Sequence, residues 1–240
     1  MKKISILFLF ILIAFLFSCD KSPQQPDMSY ESELYVFGLL MLNEQEKIIR
    51  VEETYKVDEY FPENRGIANA SVVIHTDSLS VIFDHLANGE YTDRGGDLFL
   101  KAGERYSLSV SLPDGRQAWA TTLMPHPPEI TVPKSHASIK ARSPLQVSWK
   151  ASDQAFQYLV HVSNDARTFN ISSRTDSTSV SMFPFLFANQ GIYYIKVNAS
   201  DRNYYEYVSS YDSREASVNI DGALGVFGAV AGDAISVFAN

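Results

Sequence analysis

The sequence predicts an all-β fold made of two β-sandwich domains in series. Short runs of β-branched and aromatic residues alternate with polar residues, and Gly, Asn, Asp or Pro ends each run, which is typical of strands joined by tight turns. No window carries the 3.6-residue apolar stripe of an amphipathic helix. Prolines at 125, 127 and 128 interrupt the pattern, because proline stiffens a connection and cannot occupy a central strand.

The first domain is predicted over residues 33–124. Asn88-Gly89 suits a tight hairpin and Pro113-Asp114-Gly115 suits a reverse turn, so both mark boundaries between strands. The candidate strands are 34–40, 47–54, 70–75, 79–83, 90–92, 105–112 and 117–123. This many short strands indicates a sandwich, in which two sheets bury their alternating faces against each other.

The second domain is predicted over residues 130–220, after a Pro-rich linker at 125–129. Its candidate strands are 145–149, 158–162, 169–171, 179–182, 192–199 and 216–220. This layout resembles a fibronectin type III domain. Trp149 matches the core tryptophan of an early strand in that family, and Tyr193-x-Ile195-x-Val197-x-Ala199 matches its Tyr-x-Val-x-Val-x-Ala strand. The resemblance implies a fold rather than an activity, since this fold carries many unrelated functions.

The first domain also resembles a known class of accessory module. Ala70-x-Val72-x-Ile74, Gly89-x-Tyr91 and Gly103-x-x-Tyr106 are similar to motifs of the carboxypeptidase-regulatory and transthyretin-like sandwiches. In those families the module usually serves another protein. The predicted class is therefore two sandwiches of immunoglobulin-like or transthyretin-like type.

The N-terminus carries the features of a secretory signal peptide over residues 1–18. Lys2 and Lys3 precede the apolar run 4–17, which at about 14 residues is shorter than the roughly 20 that a membrane-spanning helix needs. Leu16-Phe17-Ser18-Cys19 resembles the lipobox of bacterial lipoproteins. That resemblance implies that Cys19 becomes the lipid-carrying first residue of the mature chain. An uncleaved signal anchor, or a signal cut elsewhere, stays open as an alternative.

Acyl chains such as palmitate on Cys19 would hold the protein at a membrane surface. Residues 19–32 are polar and contain two prolines, so they are predicted to form a flexible tether. We expect a lipoprotein of the bacterial cell envelope, at the outer rather than the inner membrane. Asp20 keeps the inner membrane open, because the enteric sorting rule retains lipoproteins with aspartate at that position.

Composition argues against nucleic acid as a partner. The formal net charge is −8, and loss of Lys2 and Lys3 with the signal peptide makes the mature chain more acidic. An acidic chain repels the phosphate backbone. Cys19 is the only cysteine, so the chain has no internal disulfide and must depend on its hydrophobic cores.

No motif predicts catalysis, a metal or a cofactor. No two of the histidines have the spacing of a zinc helix, and the nucleophile-elbow and phosphate-loop motifs are missing from the sequence. The segment 93–97 could wrap a calcium ion with its two carboxylates, but a plain turn is the favoured interpretation. A hydrolase site assembled from scattered Asp, Glu and His residues stays open as a minor alternative.

Tyrosines near residue 207 form the candidate binding surface. We expect them on the turn of a hairpin, where their rings would offer stacking faces for a glycan or a peptide. The residues are Tyr204, Tyr205, Tyr207 and Tyr211. The alternative is that they belong to strands and pack against the sheet.

Two apolar segments complete the set of candidates. The segment 183–187 either caps the second core or forms a partner site. The tail 221–240 is expected to pack back as short strand pieces, with strand addition to a partner as the alternative.

The order of motifs along the whole mature chain resembles an uncharacterised family of bacterial outer-membrane-type lipoproteins, domain of unknown function 4249. The carrying pieces are Cys19, 34–38, 68–74, 88–93, 102–110, 120–130 and 219–228. The resemblance implies a Gly-x-Tyr β-sandwich followed by a fibronectin-like one, and it transfers no catalytic residue. We therefore expect a non-catalytic binding or accessory module for an outer-membrane protein or transporter. The alternative is direct binding of a carbohydrate or peptide.

Overall fold

Strands dominate the computed structural model, which describes residues 30–55, 65–165, 170–213 and 219–240. The predicted signal peptide, Cys19 and most of the tether lie outside these ranges. The strands are β1 (Leu34–Met41), β2 (Ile48–Glu53), β3 (Ser71–His75), β4 (Ser80–Ala87), β5 (Glu90–Thr92), β6 (Arg105–Ser111), β7 (Gln117–Leu123), β8 (Ile130–Val132), β9 (Ala137–Ile139), β10 (Leu145–Trp149), β11 (Gln157–Asn164), β12 (Asn170–Thr175), β13 (Ser179–Met182), β14 (Gly191–Ser200) and β15 (Leu224–Ala239). The described helices are a 3₁₀ turn, Pro184–Phe187, and α1 (Arg202–Ser213).

The first sandwich is built by β1 to β7 around one hydrophobic core. Strands β4, β3, β6 and β7 form one sheet, and β1, β2 and β5 form the other. Strand β4 joins both sheets, because it pairs with β3 through residues 80–83 and with β5 through residues 84–87, with a register shift between His85 and Ala87. Alternation sends Val72, Ile74, Leu108 and Val110 into the core, as the period-two pattern predicts.

The second sandwich packs β8, β10 and β13 against β11, β12 and β14 around a second core. Trp149 is 4% exposed in this core, and its ring lies edge-on to Tyr158 at 5.3 Å. The Tyr193 hydroxyl donates a hydrogen bond to the Asn189 carbonyl at 2.9 Å. A tyrosine tied to the backbone just upstream is the tyrosine corner of immunoglobulin-type sandwiches. The prediction of an all-β chain with β-sandwich cores is confirmed.

Strand β15 belongs to both sandwiches. Residues 224–230 run parallel to β1, and residues 230–239 run antiparallel to β14. One face supplies Phe227, Ala229 and Ala231 to the first core and Ile235, Val237 and Ala239 to the second. The tail 221–240 therefore contains one continuous strand where we predicted separate pieces. Pairing with β1, β14 and β9 within the chain argues against strand addition to a partner by this segment.

Helix α1 corrects the prediction of a hairpin turn at the tyrosines. Asp201 precedes the helix, and its Oδ1 accepts the Tyr204 backbone N–H at 2.9 Å, which caps the N-terminus. The Asn203 side-chain amide donates to the carbonyls of Phe227 and Thr121, which docks the helix on β15 and β7. The predicted strand 216–220 lies mostly outside the described residues, and Asn219 and Ile220 are not in a strand.

Candidate functional site

Helix α1 carries the candidate tyrosines, and the side chains of Tyr205 and Tyr207 pack against different neighbours. Tyr204, Tyr205 and Tyr207 are each half-buried. Tyr205 packs on Phe156 with ring centroids 4.7 Å apart, whereas Tyr207 packs edge-on to Phe37 at 6.0 Å. Burial raises the pKa of Tyr204. The backbone of Tyr211 lies in α1, and its side chain is outside the described part of the chain.

Tyr207 is the candidate that reaches a cleft. A groove of about 560 Å³ lies between α1 and the outward faces of β1 and β2. The lining residues are Tyr35, Phe37, Arg50, Glu52, Glu53, Thr54, Tyr55, Arg65 and Tyr207. This volume falls in the range of roughly 300–1,000 Å³ that small ligands and short segments occupy.

Strand alternation explains why rings and charges meet in the groove. In β1, Val36 faces the core, so Tyr35 and Phe37 face outward. The ladder places Glu52 opposite Tyr35 and Arg50 opposite Phe37. Each ring therefore has a charged side chain as its cross-strand neighbour.

The charges of the groove form exposed ion pairs. Arg50 contacts Glu90 at 2.6 Å and Glu52 at 3.5 Å, and Arg65 lies 3.9 Å from Glu52. The hydrogen bond to Glu90, with smaller contributions from both carboxylates, raises the pKa of Arg50. Exposed pairs contribute only about 0–1 kcal/mol each. A ligand carboxylate could therefore replace a glutamate partner of Arg50 at small cost.

Contacts of aromatic side chains hold the wall of the groove together. The Tyr35 and Tyr207 hydroxyls lie 3.0 Å apart, which links β1 to α1. The Arg65 guanidinium lies 4.4 Å above the Tyr55 ring, within cation–π distance. Apart from Tyr207, sequence reasoning missed these residues, although aromatic side chains at the outward positions of β1 were a signal of a covered or binding face.

A second cleft of about 470 Å³ surrounds the start of α1. Asp201 lies at its base, only 5% exposed. Thr122 donates to Asp201 Oδ2 at 2.5 Å, and the Asp201 backbone N–H donates to the Ala229 carbonyl at 3.0 Å. Burial raises the pKa of this carboxyl group, and the hydrogen bonds oppose that shift. Since protein donors occupy both carboxylate oxygens, Asp201 ties β7, α1 and β15 together.

The 93–97 segment forms a self-capped turn. Asp93 Oδ1 accepts the Asp97 backbone N–H at 3.1 Å, and Asp93 Oδ2 accepts the Leu98 N–H at 2.8 Å. Across the described ranges, no group of three or more His, Cys, Asp or Glu side chains is placed to hold a metal ion. In the same ranges, none of the helices is both long enough and apolar enough to cross a bilayer.

The 183–187 segment caps the second core and also exposes two aromatic rings. Leu186 and Phe187 are buried in the second core, whereas Phe183 and Phe185 are 65% and 66% exposed. The two exposed rings stack on each other with centroids 5.7 Å apart. The outward aromatic pair thus comes from the start of the segment and the cap on the core from its end.

Solved structures of fibronectin type III modules are similar to this chain at low identity. The CbhA fibronectin(III)-like modules of Clostridium thermocellum are 14% identical at a TM-score of 0.31, covering 88% of this chain and 94% of that one. The chicken CNTN1 FN1–FN3 domains are 14% identical at 0.30, covering 85% and 66%. A two-domain fibronectin type III segment of chicken tenascin is 13% identical at 0.25, covering 70% and 89%.

These likenesses concern the fold alone. No curated protein matches the chain. The family comparison confirms the resemblance predicted from the order of motifs, because the model described as "Domain of unknown function (DUF4249)" matches residues 21–234. The match covers most of the 240 residues, and the chain therefore belongs to the DUF4249 family.

Proposed function

We propose that this protein is a non-catalytic lipoprotein of the bacterial cell envelope that binds a membrane-protein partner, such as an outer-membrane transporter. The groove between α1 and the β1–β2 face carries this proposal. Its rings and exposed ion pairs suit an extended peptide segment, because aromatic side chains supply contact area and Arg50 can pair with a carboxylate. Lipid attachment at Cys19 would keep the protein beside such a partner.

The position of the groove supports a partner close to the membrane. The Ser32 hydroxyl contacts both Glu53, at 3.0 Å, and the Thr54 carbonyl, at 3.2 Å, and these two residues line the groove. The tether from Cys19 to Ser32 can span at most about 45 Å when fully extended. A lipid on Cys19 would therefore hold the groove within reach of the exposed loops of a membrane protein.

The anchor is tested with Cys19→Ser. The lipobox resemblance leads us to expect labelled palmitate on the wild-type chain and its loss in the variant, with a shift of the protein from membrane to soluble fractions. Asp20→Ser is the matched control and should keep the label. Equal membrane retention of the Cys19→Ser chain would contradict lipid attachment and favour an uncleaved signal anchor.

The partner is tested by gentle detergent extraction and capture through a tag placed within residues 20–32. Mass spectrometry should find one stoichiometric membrane protein with the wild-type chain. The double variant Arg50→Glu with Tyr207→Ala should lose this protein, because it removes both a ring and the cation of the groove. Phe99→Ala, a substitution of a 75% exposed aromatic residue outside the groove, should retain it. Capture that is equal in all three chains, or absent with the wild type, would contradict the proposal.

A second candidate function is direct carbohydrate binding. Trp119 favours this function, because it is 55% exposed on a hydroxyl-rich sheet face of the first sandwich. Binding of a peptide without a membrane-protein partner would be tested with the same groove variant, Arg50→Glu with Tyr207→Ala.

A further inference from the structure

The outward face of the sheet β4-β3-β6-β7 is rich in hydroxyl groups and nearly free of charge. Three rows of side chains cross the strands in register: Ser71, Ser111 and Gln117; Ile82, Val73, Ser109 and Trp119; Ser80, His75, Ser107 and Thr121. His75 is the only titratable group in these rows. Asp84 and Arg105, at the margins, are the nearest charges along their own strands.

Trp119 is the dominant side chain of this face. It is 55% exposed, and Ile82 at the other end of the same row is 70% exposed. The backbone edge beside Trp119 is closed, because Trp119 and Asp221 exchange N–H···O bonds of 3.0 Å and 2.9 Å. A ligand there would therefore meet the indole ring rather than an unpaired strand edge.

His75 orients the hydroxyl groups in the middle of the face. One ring nitrogen lies 2.8 Å from Ser80 Oγ, and the other lies 3.3 Å from Ser109 Oγ. The imidazole thus links the two serine hydroxyls across the strands through its two ring nitrogens. Each hydroxyl keeps further capacity to donate or accept a hydrogen bond outward.

The dimensions suit an extended ligand. Neighbouring strands lie about 4.8 Å apart, so the four-residue row from Ile82 to Trp119 spans about 14 Å. Serines at 107, 109 and 111 follow one another at about 6.8 Å along β6. The middle row of this surface is mostly apolar, with the Trp119 ring at one end, and the rows on either side of it are polar and rich in hydroxyl groups.

We propose that this face binds a neutral polysaccharide, with the indole of Trp119 stacked on the apolar face of a sugar ring and the serine hydroxyls contacting sugar hydroxyls. Charge supports this occupant: the three rows contain no carboxylate, and the exposed Asp221, which pairs with Trp119 at the end of its row, can accept hydrogen bonds from a neutral glycan but would repel an acidic one. Aromatic rings with flanking polar groups are the chemistry that such ligands require. The site is separate from the Arg50–Tyr207 groove.

The test uses the full chain in detergent and native gels containing a neutral β-glucan, mannan, xylan or galactan. At least one of these should retard the wild-type protein, and an acidic polygalacturonate should not. Trp119→Ala should weaken the retardation by about tenfold or more, whereas Trp119→Tyr should keep most of it. Phe185→Ala is the control for an exposed aromatic residue elsewhere. Ile82→Asp gives a second variant on the same row and should also weaken binding.

Fluorescence gives an independent readout. Trp119 and Trp149 are the two tryptophans of the chain, and Trp149 is buried. The retarding polysaccharide should therefore shift the emission of Trp119 to shorter wavelength, and Trp119→Tyr should abolish that shift. Retardation that is equal for Trp119→Ala and wild type, or failure of every neutral polysaccharide, overturns the proposal. The groove variant Arg50→Glu with Tyr207→Ala should still bind the polysaccharide, so failure of the groove proposal is distinguishable.

Discussion

The two halves of β15 lie in one strand but have different surroundings. Residues 225–231 are buried throughout, with the first core on one face and helix α1 packed on the other, next to Gly228. From Ile235 to Ala239 the strand alternates, with Phe238 exposed. Burial alternates along the strand only where one face meets solvent, and it is continuous where the first core and helix α1 cover both faces. A strand with cover on both faces takes small and apolar residues at every position.

Deletion of residues 221–240 should have the largest effect on this strand. The deletion removes three side chains from each core, and burying one large apolar side chain contributes about 1.5–3 kcal/mol. Together with the lost pairing this approaches the total stability of a domain, about 5–15 kcal/mol. We expect no cooperative thermal transition from either sandwich by circular dichroism. A transition unchanged from the wild type would contradict the shared strand.

Two phenylalanines compare the halves directly. Phe227 is fully buried, so Phe227→Ala should lower the free energy of unfolding by about 3–5 kcal/mol. Phe238 is 47% exposed, and Phe238→Ala, the matched control, should cost about 1 kcal/mol or less. Urea denaturation of both variants measures the difference. Equal losses would contradict the burial of Phe227 in the first core.

Gly225 tests the parallel contact with β1. Its φ is +116°, and a Cβ there would lie 2.0 Å from the Val36 carbonyl oxygen. Gly225→Ala should therefore cost about 3 kcal/mol through strain and displacement of the strand. Gly115→Ala is the control, because its φ is also positive but no atom lies within 4 Å of the added group. A loss no larger than that of the control would show that the strands separate easily.

Asp201 tests the helix that covers the first half. Asp201→Ala removes the helix cap and should cost about 2 kcal/mol, measured by denaturation and by faster hydrogen exchange at residues 225–231 than at 235–239.

The raised native pKa of Asp201 predicts a pH dependence as well. The native state binds this proton more tightly, so its stabilisation is full below about pH 4 and is lost as pH rises through the native pKa.

Asp201→Asn keeps a capping side chain and cannot titrate. The unfolding free energy of this variant should therefore lack that decline as the pH rises above about 4. Asp84→Asn, at an exposed carboxylate, is the control and should behave as the wild type. Identical pH profiles for Asp201→Asn and wild type would contradict the buried titration.

Much of the site was not accessible from the sequence. Tyr204, Tyr207, Val208 and Tyr211 have the i, i+3, i+4, i+7 spacing of a helix, but tyrosine also favours strands, so the stripe was missed. Tyr35 and Phe37 were assigned correctly to a strand. Their role in a groove depends on β2 as neighbour and on α1 above them, which no local pattern encodes.

Most of the strands, the turns and the sandwich class can be predicted from local patterns in the sequence. Period-two alternation, Asn-Gly and Pro-Asp-Gly turns, and the motifs around Trp149 and Tyr193 are local signals, because each reflects which side of one strand meets water. Two features follow only from the folded chain. Residues 224–239 complete both sandwiches, and Asp201 anchors helix α1 over the junction between them. These features depend on pairing between residues nearly two hundred positions apart, such as Val36 with Gly225, and long-range register is set by the assembled cores.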